Sequence, residues 1–96
     1  MSIPKFLQTY LASYDLSKMD IQRDKDIIIT EILNKGDGKA LDWLVKSYKR
    51  NEIKEIVSKP VRGSWMRSVL DYWIKVFDLD IPKLVYNKSI INLNPY

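Results

Sequence analysis

The chain contains no cysteine and no histidine among its 96 residues. Without cysteine, no disulfide, thiolate nucleophile or cysteine-bound zinc can form. Without histidine, the chain lacks the commonest metal ligand and the usual general base near neutral pH. Catalytic sites of the Ser-His-Asp or Cys-His kind are therefore excluded. These absences predict a non-enzymatic protein with no cofactor and no bound metal.

Long apolar runs are also absent. No stretch of the sequence approaches the roughly eighteen consecutive apolar residues that a membrane-spanning helix needs. Residues 1–14 lack the unbroken apolar core and the small-residue cleavage site of a secretory signal. We therefore expect a cytoplasmic protein with no membrane attachment.

Carboxylates are present, but their arrangement matches no metal or phosphate site. Five of them lie between residues 24 and 42, at Asp24, Asp26, Glu31, Asp37 and Asp42. Their spacing fits no calcium loop, and all but Glu31 suit helix starts, where a carboxylate stabilises the helix dipole. Residues 35–39 lack the spacing and the final Lys-Ser/Thr pair of a phosphate-binding loop. Catalysis by this group is not predicted.

The composition predicts one folded domain. Apolar residues make up 46% of the chain and charged residues 29%, which is too apolar for a disordered tail. A length of 96 residues suits a single hydrophobic core. We expect one helical domain over residues 1–91 and a loose C-terminal tail over residues 92–96.

Apolar periodicity predicts an all-α fold, a compact bundle of about five short helices. The expected helices cover residues 4–13, 23–35, 38–48, 51–59 and 64–78, and residues 83–90 form either a last helical turn or an extended tail. We expect Gly36 to end the second helix as a left-handed cap, and Asp37, Asn51 and Ser64 to cap the next three at their starts. Residues 27–30 form a β-branched run that is also compatible with a strand.

The helix predicted over residues 64–78 is apolar around most of its circumference. A helix of this kind normally lies at the centre of a fold or packs on two sides. We therefore expect it to be both the longest helix and the central one. Any exposed face on it would mark an interface.

A tryptophan among cations is the first candidate for a binding site. Lys39, Trp43, Lys46 and Arg50 recur at i, i+4, i+7 and i+11, opposite the apolar face that contains Leu41, Leu44 and Val45. Trp43 could anchor a protein partner or stack on a nucleic-acid base. The alternative is that Trp43 fills a second face of the core.

A concentration of positive charge is the second candidate. The chain has a net charge of +4, and residues 46–67 contain seven basic residues against two acidic ones. The basic residues are Lys46, Lys49, Arg50, Lys54, Lys59, Arg62 and Arg67. Such a segment can attract an acidic protein or nucleic acid. An ordinary solvated surface is the alternative, and Glu52 and Glu55 would face phosphate unfavourably in any DNA-reading arrangement.

The order of several short motifs carries a family resemblance over residues 14–77. The motifs are Tyr14-Asp15-Leu16-Ser17-Lys18-Met19-Asp20, Asp26-Ile27-Ile28, Ile32-Leu33-Asn34-Lys35-Gly36-Asp37, Leu41-Asp42-Trp43-Leu44 with Tyr48, Glu52-Ile53-Lys54-Glu55-Ile56-Val57 and Asp71-Tyr72-Trp73. This succession resembles a family of short bacterial and archaeal helical proteins. Their genes often lie beside nucleotidyltransferase toxins of the abortive-infection AbiEii type. The resemblance implies an antitoxin or accessory partner of such a toxin, and it carries over no catalytic residue.

Two functional hypotheses follow from these patterns. The first is a non-enzymatic protein-binding module that masks a nucleotidyltransferase-type toxin, with aromatic anchors and a basic stretch that complements acidic groups. The second is a small nucleic-acid-binding or autoregulatory module that places the basic residues of segment 46–67 on phosphates. A homo-oligomer built on the apolar last helix is a third possibility.

Overall fold

The structure, a computed structural model, describes residues 3–91, so the tail expected at 92–96 lies outside the described part. Two short 3-10 helices come first, η1 (Lys5–Thr9) and η2 (Leu16–Lys18). Five α-helices follow: α1 (Lys25–Lys35), α2 (Gly38–Ser47), α3 (Arg50–Ser58), α4 (Arg67–Phe77) and α5 (Lys83–Ser89). Over this range no β-strand forms beyond one isolated bridge. The all-α prediction is confirmed, and the β-branched run at 27–30 is helical.

The N-terminal segment is a 3-10 helix where an α-helix over residues 4–13 is predicted. The apolar periodicity is nevertheless meaningful, because Leu7 and Leu11 are both fully buried. The side chain of Gln8 donates hydrogen bonds to the carbonyl oxygens of Leu11 and Tyr14, at 2.8 and 2.9 Å. These bonds satisfy backbone carbonyls that a continuing helix would otherwise pair. The segment therefore forms the 3-10 helix η1 followed by turns, in place of the predicted α-helix.

Helix α1 lies at the centre of the fold. It packs against α2, α3 and α4. Its residues Ile28, Ile29 and Ile32 are fully buried, and so nearly is Leu33. The central position predicted for the helix of residues 64–78 therefore belongs to α1 instead. Six of the eleven residues of α1 are buried, whereas α4 buries only Leu70 and Phe77.

The corner between α1 and α2 depends on a glycine, although not for the predicted reason. Gly36 has φ −71° and ψ 149°, which is extended backbone and not the left-handed conformation expected of a glycine cap. A Cβ atom at this position would lie 2.6 Å from the carbonyl oxygen of Ile32 and 3.1 Å from Cβ of Ala40. Glycine is thus required because the chain turns back so close to Ile32, in the last turn of α1, that no side chain fits. The predicted cap at Asp37 is confirmed, since its carboxylate accepts the N–H of Ala40 at 3.0 Å.

The N-cap of α3 lies two residues earlier than the sequence predicts. Lys49, not Asn51, occupies the N-cap position. Its backbone N–H donates to the Glu52 carboxylate at 3.0 Å, which is the reciprocal half of a capping box. A side-chain oxygen at the N-cap is therefore unnecessary here.

Helix α4 begins at Arg67, three residues later than predicted. Trp65 is fully buried and forms a parallel bridge with Ile90, in which its N–H donates to Ser89 and its carbonyl accepts from Ile91. The N–H of Met66 then donates to the side-chain oxygen of Asn34 on α1, at 2.9 Å. These contacts hold the chain extended up to Met66, so Ser64 does not cap the helix.

Candidate functional site

The cations singled out in the sequence are all on the surface. The exposed residues are Lys39, Lys46, Lys49, Arg50, Lys54, Lys59, Arg62 and Arg67, whereas Trp43 is half-buried. They are distributed over α2, the start and end of α3, the following loop and the first turn of α4. Their local contacts decide what each can contribute to a binding surface.

Three of the predicted site residues share one flank of α2. Lys39, Trp43 and Lys46 recur at helical spacing and therefore point the same way. The Lys46 ammonium forms an ion pair with Asp42 at 2.8 Å, and the Lys39 ammonium lies 4.4 Å from the centre of the Phe6 ring. Both cations thus have partners within the molecule, although exposed pairs of this kind contribute little stability.

Trp43 packs against the core from this flank. Its ring meets the ring of Tyr48 edge to face, with the ring centres 6.1 Å apart. The Tyr48 hydroxyl donates to the carbonyl oxygen of Ile21 at 2.6 Å, and burial raises the pKa of Tyr48. Tyr48 is therefore neutral at physiological pH and acts as a structural donor. The geometry favours a packing role for Trp43 over that of a free anchor.

Two cations of the basic stretch, Arg50 and Arg67, lie at opposite ends of α4. The guanidinium of Arg50 lies 4.7 Å from the centre of the Phe77 ring, at the last residue of α4. The guanidinium of Arg67 lies 5.7 Å from the Tyr86 ring, beside the first turn of α4. Ten residues of α-helix separate Arg67 from Phe77, which corresponds to about 15 Å along the axis. The seven cations therefore do not form one compact patch.

An apolar groove lies between α2 and α4 on the flank opposite Trp43. Its floor is Leu33 of α1, its α2 wall includes Leu41 and Val45, and its α4 wall includes Trp73. Two adjoining cavities of about 260 and 380 Å³ share Leu33, Leu41 and Trp73. Val45 is 60% exposed although it is apolar. We call this surface the α2–α4 groove.

Aromatic side chains form the α4 side of the groove. Tyr72 meets Trp73 edge to face at 5.1 Å, and Trp73 stacks with Phe77 at 5.8 Å. Arg50 covers the outer end of this row through its contact with Phe77. Tyr72 is 60% exposed, so the row is open to solvent along part of its length. The sequence pointed to this surface only through the expectation that an exposed face on this helix would mark an interface.

The charges in and around the groove are few. Arg50 is the one charged residue that lines it, and among residues 3–91 no carboxylate lies within ion-pair distance of the Arg50 guanidinium. No group of three or more acidic side chains in the described chain is arranged to hold a metal ion. The groove is thus suited to apolar contact with one cation at its edge.

Among the helices of residues 3–91, none is both long enough and apolar enough to cross a bilayer.

Comparison with protein families assigns the chain on the basis of its first half. A sequence model of DUF6922, a family of unknown function, matches residues 8–57, just over half of the chain. The chain belongs to DUF6922. The DUF6922 match ends within α3, so it includes the floor, the α2 wall and Arg50 of the groove but not α4. Searches of curated proteins and of solved structures found no match.

Proposed function

We propose that this DUF6922 chain is a non-enzymatic protein-binding module that holds its partner in the α2–α4 groove. The observation that carries the proposal is the exposure of Val45 and Tyr72 on opposite walls of one apolar groove. Single exposed apolar residues are ordinary, but a contiguous apolar surface on a small domain indicates an interaction site.

The residue types in the groove support a protein partner. Tryptophan, tyrosine and arginine are the residues most enriched at the energetic centres of protein interfaces. Trp73, Tyr72 and Arg50 lie together there, and the aromatic contacts of Trp73 with Tyr72 and Phe77 hold the row in place before binding. A preformed aromatic surface loses little conformational entropy when a partner binds, which favours affinity.

The partner we propose is a nucleotidyltransferase-type toxin, for which the chain would be the antitoxin or an accessory subunit. The support is the resemblance carried by the order of motifs from Tyr14 to Trp73. Masking of the toxin would use the groove as an apolar anchor. The exposed cations Lys49 and Lys54 would complement acidic groups around a metal- or nucleotide-binding cleft. A cytoplasmic location is part of this proposal.

Nucleic-acid binding is the second candidate, and one observation favours it. Lys49 and Lys54, together with Lys59 and Arg62, are exposed cations on or near α3. We rank this function second because Arg50 and Arg67 lie at opposite ends of α4, so the charges do not follow a single backbone track.

The experiment is capture of partners from nuclease-treated native extract by three tagged proteins: the wild type, Val45→Glu and Leu84→Glu. Val45 lines the groove, whereas Leu84 on α5 is 66% exposed and lies outside it, so both changes place a carboxylate on an exposed apolar site. We expect the wild type and Leu84→Glu to retain a stoichiometric nucleotidyltransferase-like protein. Val45→Glu should lose it, because a charge in the groove must be desolvated on binding.

Two other results would contradict the proposal. If Val45→Glu captured the same partner as the wild type in equal amount, the groove would not be the binding site. Capture of no protein, together with binding to added DNA or RNA that weakens steeply with salt, would favour the second candidate. Light scattering of the wild type distinguishes a third case, in which a second copy of the chain covers the groove.

A further inference from the structure

We infer that the occupant of the α2–α4 groove is an amphipathic helix of the partner protein, with an acidic side chain that pairs with Arg50. This inference rests on the proposed function and adds the secondary structure and the charge of the bound segment. Three properties of the groove support it: its length, the absence of a strand edge beside it within residues 3–91, and Arg50 as the one charged residue in its described lining.

The length of the groove suits a short helix. Its lining residues on α4 extend from Ser68 to Phe77, which corresponds to about 13 Å of helix axis. On α2 they extend from Leu41 to the cap residue Tyr48, about 10 Å. A bound helix of two to three turns would therefore contact both walls through apolar residues at i, i+3 or i+4, and i+7.

The polarity of the groove argues against an extended peptide. Its lining is predominantly apolar, and the Tyr48 hydroxyl is already engaged with the carbonyl of Ile21. No strand edge borders the groove within residues 3–91, so an extended segment could not pair its backbone with a sheet. Its N–H and C=O groups would lose water without gaining partners, which disfavours binding of an extended segment. A helix satisfies these groups internally.

The charge at the end of the groove predicts an acidic residue on the partner. The Arg50 guanidinium is held against the face of the Phe77 ring, which leaves its N–H groups at the edge free to donate. Arg50 is the one charged residue in the described lining of the groove, so the charge that a bound segment meets at this end is positive. A carboxylate can accept two parallel hydrogen bonds from a guanidinium, so an aspartate or glutamate is the complementary residue.

The test is selection of binders from a phage-displayed library of random 14-residue peptides on immobilised wild type, Arg50→Gln and Val45→Glu proteins. Circular dichroism first establishes that each variant is folded. We expect peptides enriched on the wild type to carry apolar residues at helical spacing and an aspartate or glutamate near one end. Replacing that acid by its amide should weaken binding to the wild type about tenfold and leave binding to Arg50→Gln unchanged.

The outcomes separate this inference from the proposed function. Peptides that need Val45 but show no acidic preference would overturn the role of Arg50 and keep the groove as a binding site. Extended or proline-rich binders that need Val45 would overturn the helical occupant. If no enriched peptide bound the wild type better than Val45→Glu, both proposals would be overturned. A wild-type dimer that Val45→Glu dissociates would show that a second copy, and not a partner protein, occupies the groove.

Discussion

Helices α1 and α4 have the same length, but α1 is largely buried and α4 is largely exposed to solvent. Helix α1 is surrounded by three other helices and buries small aliphatic side chains such as Ile28, Ile29 and Ile32. Helix α4 carries the larger aromatic residues and leaves Tyr72 more than half exposed. Total apolar content is therefore a poor guide to central position. In these two helices, branched aliphatic residues fill the crowded centre, whereas Tyr72 lies at an edge where it can contact another molecule.

The largest effect should come from truncation in α1. Ile32→Ala removes a fully buried side chain next to the α1–α2 corner. We expect a loss of about 2–5 kcal/mol in the free energy of unfolding, because a cavity forms in addition to the lost burial. Urea denaturation followed by circular dichroism measures it. Ile32→Val, the conservative control, should lose only about 0.5–1.5 kcal/mol. Equal losses for the two variants would contradict a tightly packed centre at α1.

The second-largest loss of stability should come from removing the hydrogen bond that joins α1 to the start of α4. Asn34 donates to the carbonyl of Thr30 at 2.7 Å and accepts the N–H of Met66 at 2.9 Å. Asn34→Ala should destabilise the fold by about 1–3 kcal/mol, because it removes the acceptor of the Met66 N–H. The exposed Asn51 on α3 offers a matched control, and Asn51→Ala should change stability by less than about 0.5 kcal/mol. Similar values for both would show that the bond contributes nothing.

Acid should weaken the starts of α1 and α2 through specific carboxylates. The N–H of Ala40 lowers the pKa of Asp37, the cap residue of α2, and hydrogen bonds from neighbouring groups lower the pKa values of Asp20 and Asp24 at the start of α1. Because these pKa values are lower in the folded state, the stabilisation is present above the unfolded pKa of about 4. It is lost as pH falls through the folded pKa values. Urea titrations between pH 6 and pH 3 should show this decline.

Asp37→Asn supplies the control for the acid effect. Asparagine is an effective helix cap but does not titrate in this range, so the variant should lose less stability than the wild type on acidification. Identical pH profiles for the two proteins would mean that Asp37 does not contribute to the acid sensitivity.

The smallest effect on stability should come from the exposed row of α4. Tyr72→Ala removes a side chain that is 60% exposed and contacts Trp73 edge to face. We expect a change of less than about 1 kcal/mol in the free energy of unfolding. If Tyr72 anchors the partner, the same variant should weaken partner binding by about thirtyfold or more, as measured by titration calorimetry. Loss of stability without loss of binding would show that the row is part of the core.

Much of the fold could be predicted because the relevant signals are local. Apolar spacing located α1, α2 and α3 to within a few residues, and Asp37 was correctly identified as a cap. The start of α4 was missed because it depends on Asn34 and Ile90, which are distant in sequence. The candidate site was predicted only in part. The sequence indicated Arg50, but its position beside Phe77 is set by the packing of α3 on α4.

Local patterns were sufficient for the fold class, for the helix periods and for the exclusion of histidine and cysteine chemistry, because each depends on residue identity and on neighbours one or two turns away. Tertiary packing decided which helix is central, where α4 begins and where the apolar groove opens. Those properties depend on which helix faces meet. An apolar helix face, which the sequence alone suggests is buried, lines a surface groove when other helices already occupy the centre of the fold.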